Sequence, residues 1–103
     1  MGTDEQGSFY EQDTEVIASL TASVGFTSTY ITDAKLEKLM YVLIQPQGAA
    51  IHYETNGDAA TTATGIHVAD GAAVEIWGWS AIKNFRCIDD GGTAKLSCKY
   101  YGG

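Results

Sequence analysis

Residues 49–88 read AAIHYETNGDAATTATGIHVADGAAVEIWGWSAIKNFRCI, and the punctuation of this stretch decides the fold. Short apolar runs are separated by Asn56-Gly57, Gly65 and Asp70-Gly71, residue types that take the tight and left-handed turns joining strands. That cadence predicts a small all-β domain. Within and beyond the stretch, strands are expected over residues 66–68, 73–79, 81–88 and 94–101, with a turn at Asp89-Asp90-Gly91-Gly92. The last strand alternates throughout: Ala94, Leu96, Cys98 and Tyr100 on the inward face, and Lys95, Ser97, Lys99 and Tyr101 on the outward face.

Upstream, residues 39–45 (LMYVLIQ) are apolar without alternation, as in a strand buried on both faces. Gln45-Pro46-Gln47-Gly48 follows, with Pro46 at the second turn position, its φ already restricted, and Gly48 at the fourth. This predicts a hairpin over residues 39–55 that pairs Ile44 with Ala49, Val42 with Ile51 and Met40 with Tyr53. Further strands are expected over residues 15–21 and 25–33. Residues 34–39 suit either one helical turn capped by Asp33 or a strand with outward lysines. Residues 1–14 (MGTDEQGSFYEQDT) have no period and read as an extended arm. The expected architecture is therefore an antiparallel β-sandwich or jelly-roll-like barrel over residues 15–103, preceded by an N-terminal arm over residues 1–14.

A chain of 103 residues supports one core. Thirteen acidic residues against six basic give a formal charge of −7, which repels nucleic-acid phosphates and anionic lipid surfaces; neither is an expected partner. Asp4, Glu5, Glu11, Asp13 and Glu15 fall in the first fifteen residues with no Lys or Arg among them. Phe9 and Tyr10 interrupt that polarity. The segment is either a solvated tail or an arm that docks on a basic neighbour, with Phe9, Tyr10, Glu11 and Asp13 as its contact residues. No signal-peptide pattern and no apolar run of the ~20 residues that span a bilayer is present, so a soluble cytoplasmic product is expected. Cys87 and Cys98 are expected as free, buried thiols, because a hairpin turning at Asp90-Gly91 sets them four positions out of register.

Chemistry is sparse. No nucleophile motif, phosphate loop or C-x-x-C is present, and no enzymatic activity is expected. His52 and His67 each lie mid-strand between apolar neighbours, the setting of a hydrogen-bonded or solvent-facing imidazole. Asp58 and Asp70 are the acids available to join them at a metal, yet no i, i+2 ligand pair falls within one strand, so no metal or other cofactor is expected. Trp77 and Trp79 share a face of the expected strand, where paired rings serve either packing or a sugar-stacking platform.

The chain resembles a family of tailed-bacteriophage virion proteins of about a hundred residues. The resemblance rests on IHYET running into Gly57-Asp58, on the step from Gly65 through His67 to Gly71, and on IWGWSAIKNFRCI at residues 76–88. It implies a capsid decoration or cement protein that binds the major capsid protein and neighbouring copies as a homo-oligomer. The alternatives are a tail or fibre component of the same virion and a carbohydrate-binding β module.

Overall fold

The computed structural model describes residues 10–18, 20, 22–27 and 39–102. Seven strands and one short helix follow in chain order: β1 (Tyr10–Ile17), β2 (Leu39–Gln47), β3 (Ile51–Glu54), β4 (Ile66–Val68), β5 (Val74–Trp77), α1 (Trp79–Lys83), β6 (Arg86–Asp89) and β7 (Lys95–Gly102). They form two antiparallel sheets, one ordered β1-β7-β2-β5 and the other β4-β3-β6. Val42, Ile44, Leu96 and Tyr100 from the first and Ile51, Tyr53 and Cys87 from the second meet in one core. The fold is a small all-β sandwich.

β7 is the central element of the larger sheet, bonded to β1 on one side and β2 on the other. Its alternation is the one read from the sequence, with Ala94, Leu96, Cys98 and Tyr100 all buried. A strand between two neighbours satisfies its backbone on both sides, which leaves its side chains alone to distinguish core from solvent.

Four expectations are corrected. First, no hairpin forms over residues 39–55. β2 pairs with β7 and β5, placing Val42 opposite Tyr100 and Ile76, whereas β3 belongs to the other sheet and sets Ile51 opposite Val68 and Asp89. Pro46 is not at a turn but within β2, opposite Leu96. A strand residue points its C=O and N–H positions to the same side, and Pro46 O accepts from Gly71 N at 2.8 Å. The missing N–H therefore faces away from β7, where β5 pairing has already ended at Ile44↔Val74, and no ladder bond is lost. The chain crosses between the sheets just after this, at Gly48, whose φ of 98° is open to glycine.

Second, β2 is not buried on both faces. Leu39, Val42, Ile44 and Pro46 are buried, Tyr41, Leu43 and Gln45 only partly so. A bulge between Leu39 and Tyr41 turns Met40 outward, and a second lies between Glu11 and Asp13 of β1. Both oppose the C-terminal end of β7, where they strengthen the local twist. Third, residues 81–88 are not one strand. Gly78 at φ 92° ends β5, and α1 carries the buried Ile82 into the core before Arg86 starts β6. Fourth, the arm and domain boundary at residue 14 is wrong, because Tyr10 to Thr14 are strand, paired with β7 from Tyr10↔Gly102 onward.

The expected strand over residues 25–33 is not seen in its described part, where Gly25 to Thr27 are outside any strand. Its remainder, and the helix-or-strand alternative for residues 34–38, lie outside the described residues. Glu15 of β1 accepts hydrogen bonds from Tyr100 Oη, Thr27 Oγ1 and Thr27 N, the last at 3.1 Å, which ties this loop to the sheet. Tyr100 is held far above the usual phenol range, first by burial and then by its bond to Glu15.

The predicted turn residues are used, in a different arrangement. Asp70 Oδ1 accepts from Gly48 N at 3.0 Å and Gln45 Nε2 donates to Gly71 O at 2.9 Å, so the Asp70-Gly71 turn is clamped on the β2–β3 crossing. Asn56 Oδ1 accepts from Asp58 N at 3.0 Å and Gly57 N donates to Asn84 O at 3.0 Å. Gly65 has φ 90°, and a Cβ there would lie 2.7 Å from the Tyr53 carbonyl oxygen. No larger residue fits.

Candidate functional site

The outward face of the larger sheet carries the most conspicuous surface. Tyr41 on β2 is in register with Trp77 on β5 and Tyr101 on β7. Neighbouring strands are about 4.8 Å apart, and the rings keep that spacing: Tyr41 to Trp77 is 4.5 Å between centroids at 25°, and Tyr41 to Tyr101 is 4.8 Å at 11°. The three rings thus stand up from the sheet face to face. Trp77 Nε1 donates to Glu75 Oε1 at 2.9 Å, which fixes the indole at the strand edge. The Tyr41 phenol is held above its ordinary range by burial first, then by Tyr101 and Glu75.

Trp77 is 49% exposed, and Trp79, which opens α1, is 54% exposed. The expected shared strand face of these two tryptophans does not exist, because Gly78 ends the strand between them. Lys99 Nζ lies 3.5 Å from Glu11 Oε1 on the same outward face, an exposed pair of small energetic weight. Of the expected arm contacts, Glu11 and Asp13 are therefore sheet residues, Tyr10 is the first residue of β1, and Phe9 lies outside the described residues.

β1 and β5 are the edges of this sheet. In the smaller sheet, β6 has its outer side covered by the segment that follows β1: Val24 and Cys87 exchange backbone bonds at 3.0 and 2.8 Å, and Asp89 N donates to Leu20 O at 2.9 Å. β4 is the opposite edge and exposes Ile66.

Both histidines lie on the smaller sheet. β3–β4 pairing sets His52 directly opposite His67, with ring centroids 5.1 Å apart and planes at 65°. His67 Nε2 is 3.8 Å from Asp90 Oδ2. Asp58 and Asp70, considered with them from the sequence, belong to turns elsewhere. Among the described residues no group of three or more His, Cys, Asp or Glu is placed to hold a metal. No described helix is long and apolar enough to cross a membrane.

Cys87 and Cys98 are buried free thiols. The reasoning from an Asp90-Gly91 hairpin is corrected, since β6 and β7 lie in different sheets. Burial pushes Cys87 up to about 12 and Cys98 higher still, the latter helped by Glu15 and Cys87. Thiolate is the reactive form. In a thiol titration at pH 8 the native protein is expected to react negligibly, and the denatured chain to show two thiols; a count of none after denaturation would contradict free cysteines.

The Trp77 and Trp79 signal was visible in the sequence as a pair of rings on one expected strand face. Tyr41 and Tyr101 were not, because only strand pairing brings them beside Trp77. Comparison with protein-family models, with curated proteins and with solved structures returned no match.

Proposed function

We propose that this chain is a structural protein of a tailed-phage virion, a capsid decoration or cement subunit that binds the major capsid protein and its own neighbours. The observation that carries this reading is the aromatic face formed by Trp77, Tyr41 and Tyr101, followed two residues along the chain by the exposed Trp79. Tryptophan and tyrosine are the residues on which protein–protein binding energy concentrates. The resemblance of the central motif to virion proteins supports the same reading.

Ring geometry favours a protein partner over a sugar. A saccharide stacks on an open ring face, but Tyr41 has both faces against neighbouring rings and presents only its edge outward. Attachment across such a face, with β1 and β5 as its edge strands among the described residues, suits the repeated contacts of a shell.

Mass spectrometry of purified virions should find the protein at a fixed ratio to the major capsid protein. Trp77→Ala and Trp79→Ala should each weaken attachment to particles lacking the subunit by roughly 30-fold, the equivalent of about 2 kcal/mol. Trp79→Ala should change the stability of the free domain by less than about 0.5 kcal/mol. Deleting residues 2–9, which leaves β1 whole, separates the arm from the face: lost attachment assigns the contact to Phe9 and its neighbours, and retained attachment assigns it to the sheet. Wild-type attachment by both tryptophan variants, or binding to polysaccharide and never to particles, would sink the proposal.

A further inference from the structure

We propose that His52 and His67 form a surface chelate for an imidazole-preferring divalent transition metal such as Zn2+, with Asp90 as the outer partner of His67. Strand pairing supplies the geometry. His52 and His67 are direct partners in the antiparallel β3–β4 pair, so both imidazoles rise from the same face of the sheet from Cβ atoms about 5 Å apart. Two imidazoles ligating one tetrahedral ion through bonds near 2.05 Å place their ring centroids about 5.2 Å apart. In this protein the separation is 5.1 Å. The ring separation that chelation requires is therefore present without movement of either strand, and the rings, now at 65° to each other, turn to bring one nitrogen of each to the ion.

Two further observations point the same way. His52 Nδ1 is buried and has no hydrogen-bond partner, so no hydrogen bond from that nitrogen fixes the orientation of the ring. Asp90 Oδ2 stands 3.8 Å from His67 Nε2, close enough to accept a hydrogen bond from that nitrogen after a small shift. A carboxylate on the far nitrogen of a ligating histidine orients the ring and raises its basicity, as outer partners do at metal sites. With two protein ligands the remaining positions belong to water, so the site is an open one. The buried thiols, held high by desolvation, do not compete for the ion.

The chain contains two histidines, which makes the test direct. ZnCl2 is titrated into the full-length protein while the imidazole resonances are followed by NMR and the stoichiometry is read by calorimetry. Both rings should shift together and saturate at one ion per chain. His67→Ala should weaken binding by roughly tenfold or more and Asp90→Asn by about tenfold, while Trp77→Ala leaves it unchanged. His52 is partly buried and its replacement can disturb β3, so the wild-type titration stands by itself. Shifts at only one ring or at neither, or zinc binding undiminished in His67→Ala, overturn the proposal.

Discussion

Truncation of Phe85 to alanine is expected to lower the unfolding free energy by about 3–5 kcal/mol, the range for a buried aromatic ring. Phe85 is 1% exposed and lies between α1 and β6, where two other parts of the chain converge on it. Phe26 stacks on it at 4.2 Å and 7°, and Tyr53 approaches at 5.6 Å. Phe26 in turn meets Tyr100 edge-on at 5.5 Å. Removing the central ring leaves a cavity that the stiff strands on either side cannot close, and it releases the loop whose Val24 covers the edge of β6. For a domain of this size each kcal/mol moves the melting temperature by roughly 4–8 °C, so the transition should fall by tens of degrees or vanish. Thermal unfolding followed by near-ultraviolet circular dichroism measures it. A loss below about 1 kcal/mol would mean that the ring does not fill the space described.

Alkali should destabilise the protein progressively from about pH 9 upward. Cys87, Cys98 and Tyr100 are all held above their unfolded values chiefly by burial. A raised folded value means that the native state keeps its proton while the unfolded chain releases it. Stability from these groups is therefore fully present below pH 9 and declines as pH rises past it. Each thiol removes about 1.4 kcal/mol per pH unit above that point, and the phenol joins above about pH 10. For Cys87 the decline ends near its folded value of about 12. Urea midpoints measured from pH 8 to 10.5 should fall progressively, and the first part of the fall should be shallower in Cys87→Ala. A flat midpoint over that range would show that the thiols are not buried in the native state.

The two errors at β2 explain why register was out of reach of sequence reading. Pro46 and Gly48 satisfy the local rules of a turn, and the apolar residues on either side match in a hairpin register. The same residues match equally well against Ile76 and Tyr100, and those lie far along the chain. Local turn chemistry does not choose between two apolar surfaces of similar quality. The helix α1 was missed for a related reason: five residues are too few to show a helical period, and WSAIK reads as the end of one strand at Trp79 and the start of the next at Ala81.

What the sequence determined by itself is the all-β class, the inward face of β7, and the turns at Gly57, Gly65 and Asp70-Gly71. Each follows from residue type and spacing over a few positions, through glycine's access to positive φ and the two-residue period of a strand. Tertiary structure alone decided that β2 and β3 lie in different sheets, that Tyr41 and Tyr101 flank each other beside Trp77, and that His52 faces His67. Those facts depend on which strands become neighbours. That choice is made by burial of the whole core at once, and no short stretch of the chain carries it.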